Sequence, residues 1–162
     1  MNDVTQSVCR PMHAGFLRQA MARPEWVALD FGDACCTYGD LLGLALRIAH
    51  LVRNCPDAAE SHWVGILADK SRAGYASILG VLLAGKGYMP LSCSAPEARL
   101  ADMVRRSGTR LLLADSAGAG LVAGLLGQAG RPMVASVIDG GDGTVPAAGQ
   151  PRVLPLPDAD GA

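Results

Sequence analysis

Residues 63–91 read WVGILADKSRAGYASILGVLLAGKGYMPL, and this segment decides the class of fold. It opens with a nearly continuous apolar run over residues 63–68, which is typical of a strand buried on both faces of a parallel sheet. Residues 72–84 then have the length of a helix that is apolar on most sides. Residues 88–91 contain Pro90, which cannot donate to a ladder, so they form an edge strand or an extended loop. The segment predicts a strand–helix–strand unit.

Three glycines in this unit have predicted roles. Gly74 and Gly80 lie inside the helix, where each costs roughly 1 kcal/mol relative to alanine. We therefore expect both glycines to permit close packing against a neighbouring element. Gly85 follows the last apolar turn and is predicted to end the helix in a left-handed conformation.

The chain before this unit predicts a short helix that Pro24 ends, a β-hairpin over residues 26–36 and a long helix. Thr37 stands where the long helix begins, and Asp40, three residues later, completes a capping-box pattern. The helix runs to about Arg53 and carries an apolar stripe wide enough to lie across a sheet. The stripe consists of Leu41, Ala45, Ile48 and Val52, with Leu42, Leu46 and Ala49 beside them.

The chain after the unit continues to alternate helices and strands. A helix from Pro96 is ended by Gly108, and a strand follows over residues 111–114. A glycine-rich helix over residues 118–128 and a last strand over residues 133–138 complete the order. This alternation predicts an α/β domain of three layers, in which helices flank a mostly parallel sheet.

The domain is expected to occupy residues 12–138. Residues 1–11 are predicted to be a loose N-terminus. Residues 139–162 are rich in Gly, Pro, Ala and Asp and have no hydrophobic period, so we expect a flexible tail. No internal repeat is apparent.

Composition excludes several classes of function. The net charge is −1 with acids and bases interspersed, so neither a nucleic-acid nor a membrane partner is expected. The longest dense apolar run, residues 78–84, is far shorter than the ~20 residues of a membrane-spanning helix, and residues 1–10 lack the apolar core of a signal peptide. The five cysteines lack zinc-site spacing. We expect a reduced, cytoplasmic protein without a metal site.

Two segments carry a resemblance to a known family. They are Thr37-Tyr38-Gly39-Asp40-Leu41 and Leu83-Ala84-Gly85-Lys86-Gly87-Tyr88-Met89-Pro90-Leu91. In this order and at this distance apart, they resemble the first two signature segments of amino-acid adenylation domains. Those domains belong to the AMP-forming, adenylate-forming ligases, a superfamily that includes acyl-CoA synthetases and luciferases. The resemblance extends over roughly residues 14–115 and implies the N-terminal lobe of such a ligase.

The resemblance implies an activity for the complete enzyme. Such a ligase binds ATP with Mg²⁺, joins a carboxylic acid to AMP with release of pyrophosphate, and passes the acyl group to a thiol, often on a carrier protein. The signature residues are mainly structural in the family. Here they are Thr37, Tyr38, Asp40, Leu41, Ala84, Gly85, Tyr88, Pro90 and Leu91.

This sequence also departs from the family in ways that bear on activity. Cys36 stands where a leucine is usual, Ser92-Cys93 replaces an Asp-Pro pair, and Lys86-Gly87 replaces two small residues. The family's Thr-Ser-Gly-x-Thr-Gly-x-Pro-Lys phosphate loop is not recognisable. We therefore assign no catalytic, cofactor-binding or metal-binding residue. We expect the chain alone to neither bind ATP tightly nor turn over, and to need the remaining part of the enzyme as its partner.

Two further functional hypotheses remain open. Residues 118–123 match a loose G-x-G-x-x-G/A dinucleotide pattern, with Asp139 about 20 residues later, which would indicate a small Rossmann-like domain. However, residues 115–117 separate the strand from the glycines, whereas a phosphate turn is tight. The other hypothesis is a non-catalytic half that works with a partner chain. Residues 139–143 are acidic and glycine-rich but lack the later Glu of a calcium loop.

Isolated histidine, cysteine and basic side chains are further candidate sites. A surface or structural role is expected for His13, His50 and His62, and a small buried apolar role for Cys93. Lys70 and Arg72 flank a predicted helix N-terminus and could contact an anion, but solvated charges are the simpler expectation.

Overall fold

The computed structural model describes residues 11–138 and the backbone of residues 152–153. In these residues the helices are α1 (Ala14–Ala22), α2 (Tyr38–Asn54), α3 (Pro56–Ala59), α4 (Arg72–Leu83), α5 (Glu97–Ser107) and α6 (Ala119–Gln128). The strands are β1 (Val27–Asp30), β2 (Cys35–Thr37), β3 (Trp63–Leu67), β4 (Gly87–Leu91), β5 (Leu111–Ala114), β6 (Val134–Val137) and β7 (Arg152–Val153). None of the helices in this part of the chain is long and apolar enough to cross a membrane.

The strands form two sheets. Strands β1 and β2 make an antiparallel hairpin, and the other strands make a five-stranded sheet in the order β4-β3-β5-β6-β7. Every pairing in the larger sheet is parallel. Strand β4 lies at one edge, which suits Pro90 because an edge strand tolerates a missing N–H donor. The predicted α/β class with a mostly parallel sheet is confirmed.

The central strands are buried on both faces because their side chains alternate between two cores. In β5, Leu111 and Leu113 join the core that α2 and α4 cover, whereas Leu112 and Ala114 join the core that α5 and α6 cover. All four side chains are at most 1% exposed. The alternation follows from the two-residue period of a strand and produces the predicted helix–sheet–helix layers.

Helices α2 and α4 pack closely because α4 carries a glycine at their contact. A Cβ added at Gly80 would lie 2.7 Å from Cβ of Ile48 and 2.8 Å from the carbonyl oxygen of Ala45. Near the other end of α4, the guanidinium of Arg53 donates to the carbonyl oxygen of Leu83. These contacts place α2 and α4 side by side and running in the same direction. The close-packing role predicted for Gly80 is confirmed.

The structure differs from the sequence-based expectations in a few elements. Helix α3 was not predicted because four residues are too few to show a helical period. Leu46, placed beside the apolar stripe of α2, is 45% exposed. Pro96 is the N-cap residue of α5 and precedes its first turn.

Strand β7 lies in the segment predicted to be a flexible tail. Its two residues pair with Val134 and Ala135 of β6. This pairing was not predicted, because the segment has no alternating hydrophobic pattern. The remainder of the predicted tail, residues 139–151 and 154–162, lies outside the described residues, as does most of the predicted loose N-terminus.

Candidate functional site: the two signature segments and the carboxyl edge of the sheet

The first signature segment caps α2 and holds the hairpin. The hydroxyl of Thr37 accepts from the backbone N–H of Asp40 at 3.1 Å, and the Asp40 carboxylate accepts from the hydroxyl and backbone N–H of Thr37 at 2.7 and 3.2 Å. The hydrogen bond from the Thr37 hydroxyl, with that from its backbone N–H, lowers the pKa of Asp40 from its ordinary 3.8. The predicted capping box is confirmed.

The next residues of this segment join α1 to α2. The backbone N–H of Tyr38 donates to the carbonyl oxygen of Trp26, and its ring lies 5.7 Å from that of Phe16 between centroids. The backbone N–H of Gly39 donates to the carbonyl oxygen of Pro24. Leu41 is 3% exposed, in the core. These contacts fix the start of α2 against α1 and the hairpin.

The second signature segment ends α4 and starts β4. Gly85 has a φ of 76°, and its N–H donates to the carbonyl oxygen of Leu82 while the N–H of Lys86 donates to that of Val81. This pattern is a Schellman motif, in which a left-handed residue satisfies the last carbonyl groups of a helix. The prediction that Gly85 ends α4 is confirmed.

Two unusual residues of the second segment have structural partners. The ammonium group of Lys86 donates to the carbonyl oxygens of Ala58 and Ser61 at 2.6 and 2.7 Å, which fixes the end of α3. Gly87 lies beneath the indole of Trp63, because a Cβ there would be 2.6 Å from the ring. The long side chain of Lys86 is thus accommodated because two backbone carbonyl groups bind its ammonium group. Gly87 is accommodated because the indole of Trp63 covers it.

A cleft with a volume of about 550 Å³ lies at the carboxyl ends of β3 and β4. Its walls come from both strands and from α4, and most of them are apolar. Asp69 and Lys70 are the charged residues of its lining, and Tyr75 and Tyr88 are its aromatic ones. The full lining is Ile66, Ala68, Asp69, Lys70, Gly74, Tyr75, Ile78, Tyr88, Pro90, Leu91 and Ser92.

Beside this cleft lies the point at which the sheet changes winding direction. The loop after β3 leads to α4 on one face, and the loop after β5 leads to α6 on the other. In open α/β sheets the crevice between two such loops is the usual ligand site. A protein side chain occupies this position here, because the Asp115 carboxyl group bridges both loops.

Asp115 is 2% exposed and accepts three hydrogen bonds. Its Oδ2 accepts from the N–H of Asp69 at 3.0 Å and from the Ser71 hydroxyl at 2.8 Å, and its Oδ1 accepts from the N–H of Gly118 at 3.0 Å. Ser71 in turn caps α4 by accepting from the N–H of Gly74. These three hydrogen bonds satisfy both oxygens of the buried carboxyl group and hold the two loops together.

The same geometry argues against the dinucleotide hypothesis. Four residues, 115–118, separate the end of β5 from the start of α6 at Ala119, so the turn is not the tight phosphate turn of a dinucleotide fold. The N–H of Gly118 is directed at the Asp115 carboxyl group, where a phosphate would have to lie. Asp139, the proposed ribose ligand, lies outside the described residues.

Cys93 lies partly buried against the core beneath α5 and α6. Burial is the main cause that raises the pKa of its thiol, and the charges of Asp69 and Asp115 raise it further. The thiol therefore stays protonated at neutral pH, in keeping with the apolar role predicted for it and against a nucleophilic role.

The predicted signature residues do not converge on one site. Tyr88, Pro90 and Leu91 line the cleft, whereas Thr37 and Asp40 lie at the start of α2. Sequence reasoning missed Asp115 and the loop residues that it holds. The available signal was an aspartate directly after a fully buried strand, the position at which α/β sheets place polar groups.

In the part of the chain that the structure describes, the polar groups beside the cleft are bonded to one another. No group of three or more His, Cys, Asp or Glu side chains in this part of the chain could hold a metal ion. The donors at the winding change are engaged by Asp115, and the start of α4 is capped by Ser71. Residues 139–143, which were not expected to bind calcium, lie outside the described residues.

Comparison with known proteins identifies the family. A model of the AMP-binding enzyme family matches residues 16–155. The nonribosomal peptide synthetase ecdA of Aspergillus rugulosus is 32% identical over 132 residues, which are 82% of this chain and 2% of ecdA. The chain thus spans only a small fraction of the length of such relatives.

Two solved structures resemble the fold. The crystal structure of IdnL7 is 34% identical with a TM-score of 0.71, over 91% of this chain and 28% of that chain. The nonribosomal peptide synthetase FmoA3, with α-methyl-L-serine-AMP bound, is 25% identical with a TM-score of 0.60, over 90% of this chain and 14% of that chain. With the family match over most of its length, this chain belongs to the AMP-binding enzyme family and corresponds to an N-terminal fragment of an adenylate-forming ligase.

Proposed function

We propose that this chain is the structural N-terminal lobe of a ligase that activates an amino acid. In the complete enzyme, a carboxylate oxygen attacks the α-phosphorus of ATP, the bond to the β-phosphate breaks, and pyrophosphate leaves. The product is an aminoacyl adenylate, whose acyl group then passes to a thiol with release of AMP. The preference for an amino acid rests on the two signature segments and on similarity to peptide synthetases such as ecdA.

One observation carries the structural role that we propose. The Asp115 carboxyl group occupies the ligand position of an α/β sheet and accepts three hydrogen bonds there. A bound triphosphate at this point would lose those donors and face a carboxyl group. The proposed contribution of the chain is therefore to orient α2, α4 and the cleft, while the phosphate-binding groups come from the remaining part of the ligase.

The proposed partners follow from the absence of phosphate-binding groups in the proposed role of this chain. The remaining part of the ligase is the first partner, and a carrier protein that supplies the accepting thiol is the second. ATP and Mg²⁺ are the cofactors of the complete enzyme, and we expect neither to bind this chain tightly. A cytoplasmic setting is consistent with the four free cysteines among the described residues.

The test is ATP–pyrophosphate exchange by the purified chain, together with calorimetric titration of ATP·Mg²⁺ and then NADH. The proposal expects no exchange with any amino acid and no heat with either ligand. Exchange by the isolated chain would show that it contains a complete catalytic site. Binding of NADH would instead favour the dinucleotide hypothesis at residues 118–123.

A further inference from the structure

Two hollows lie along the outer side of α2, where this helix runs beside α4. The first has a volume of about 470 Å³ and the second a volume of about 250 Å³. Leu46 lines both hollows, so they form one groove along the helix, which we call the α2 groove. On either side of Leu46, the groove carries Asp40, Arg47 and Arg72 toward the start of α2 and His50, Arg53 and Asn54 toward its end.

The α2 groove is basic, although the chain as a whole has a net charge of −1. Among the described residues of its lining, three are arginines, and Asp40 is the only acidic one. The Asp40 carboxylate already accepts hydrogen bonds from the hydroxyl and the backbone N–H of Thr37. Positive charge therefore exceeds negative charge in the groove, which attracts an incoming carboxylate group.

The helices on the opposite face of the sheet present different surfaces. Helix α5 also exposes arginines, but Arg105 and Arg106 both form ion pairs with Asp102 of the same helix. Helix α6 carries no charged side chain between Ala119 and Gln128. A concave surface with an excess of arginine is thus specific to the α2 side in the part of the chain that the structure describes.

The shape of the α2 groove favours a peptide segment over a small anion. From Asp40 to Asn54, α2 rises by roughly 21 Å. About six extended residues or four helical turns of a partner span this distance. Leu46 is 45% exposed and offers an apolar contact between the basic groups at the two ends. This arrangement matches a segment that has acidic side chains on both sides of an apolar one.

We propose that the α2 groove binds an acidic peptide segment of a partner protein. Carboxylates of this segment pair with Arg72 and Arg47 at one end of the groove and with Arg53 at the other. The guanidinium of Arg53 is held in place by its hydrogen bond to the carbonyl oxygen of Leu83. An apolar side chain between the carboxylates packs against Leu46. This interaction is independent of the proposed ligase role.

The test measures binding of a fluorescently labelled peptide, Glu-Asp-Glu-Leu-Glu-Asp-Glu, to the full chain by fluorescence anisotropy. Low ionic strength is used because salt screens exposed charges. The uncharged control is the same peptide with Gln for Glu and Asn for Asp. Inorganic triphosphate, added as a competitor of the labelled peptide, serves as the small-anion control.

The chain variants are Arg72→Glu, Arg47→Glu and Leu46→Ala. Arg72→Glu places a negative charge in the first turn of α4, where the helix dipole favours it, so this variant should fold. The matched control is Arg99→Glu, because Arg99 is exposed on α5 at the opposite face of the sheet. Thermal melting establishes that each variant is folded.

We expect each of the two glutamate variants in the groove to weaken binding about fivefold or more, because an attraction becomes a repulsion. Leu46→Ala should weaken binding about threefold through the lost apolar contact. Arg99→Glu should bind within about twofold of the unmodified chain, since it lies away from the groove.

Three results would overturn the proposal directly: no binding of the acidic peptide, equal binding of the uncharged peptide, or an equal loss in Arg99→Glu. Tighter binding of triphosphate than of the acidic peptide would assign the α2 groove to small anions and would overturn it as well.

Discussion

The hydroxyl of Ser71 donates a 2.8 Å hydrogen bond to the buried carboxyl group of Asp115, which joins the loop after β3 to the loop after β5. Replacing Asp115 with alanine leaves three donors unpaired in a buried site. We expect this variant to lose roughly 3 kcal/mol of unfolding free energy, measured by urea denaturation. Ser71→Ala removes one of these bonds together with the N-cap of α4, and should cost about 1–2 kcal/mol. Equal losses for the two variants would contradict the central role of Asp115.

Gly80 should be intolerant of a side chain because of Ile48. Gly80→Ala would place a Cβ 2.7 Å from Cβ of Ile48, so α2 and α4 would have to separate. We expect a loss of about 1–3 kcal/mol, despite the better helix propensity of alanine. The matched control is Gly43→Ala in α2, where no atom lies within 4 Å of the added Cβ. That variant should gain up to about 1 kcal/mol. Equal effects in chemical denaturation would contradict this packing.

Because of the capping box, Asp40 is expected to make a pH-dependent contribution to the stability of the folded chain. Its pKa is lowered in the folded chain, so the stabilisation is fully present above the ordinary pKa of 3.8 and is lost as the pH falls through the lower, folded value. We expect the stability difference between the unmodified chain and Asp40→Asn to shrink over that range. Asp40 is exposed, so the effect should be small.

Thr37→Ala provides the companion variant for this cap. It removes the hydroxyl donor and should cost about 1 kcal/mol near neutral pH. It should also flatten the acid limb of the stability profile, because the main cause of the lowered pKa is gone. Thermal melting at several pH values measures this profile. If the loss of stability at low pH were the same in Thr37→Ala as in the unmodified chain, the hydroxyl of Thr37 would not be the main cause of the lowered pKa of Asp40.

Trp63 and Gly87 should be coupled across the strands β3 and β4. Gly87→Ala would place a Cβ 2.6 Å from the indole ring, and we expect a loss of about 1–3 kcal/mol. Trp63→Leu removes the ring, so Gly87→Ala in that background should cost less than 1 kcal/mol. A double-mutant cycle measured by chemical denaturation gives the interaction energy directly. Additive effects would show that the ring does not restrict residue 87.

Most of the fold was predictable because its signals are local. The buried run that became β3, the apolar helix α4 and the proline in β4 all lie within 30 residues. The Thr37–Asp40 cap is likewise visible in the sequence as a four-residue pattern. Short elements were not predictable, since α3 and β7 contain too few residues to show a period.

The candidate site was less predictable because its contacts join distant parts of the chain. Asp115 reaches Ser71 and Asp69 over 44 and 46 residues, and only the order of strands brings them together. The cleft depends in the same way on the pairing of β3 with β4 and on the position of Tyr75 above them. The signature segments identified the family, but their contacts are mainly structural.

The most direct test of the central claim is adenylate formation by a chimera in which this chain replaces the matching segment of FmoA3. Mass spectrometry would follow α-methyl-L-serine-AMP, the adenylate bound in the FmoA3 structure. We predict that the folded chimera forms this adenylate and that the isolated chain forms none. A folded chimera without activity, or an isolated chain that makes an adenylate by itself, would contradict the assignment of this chain as a structural lobe of an adenylate-forming ligase.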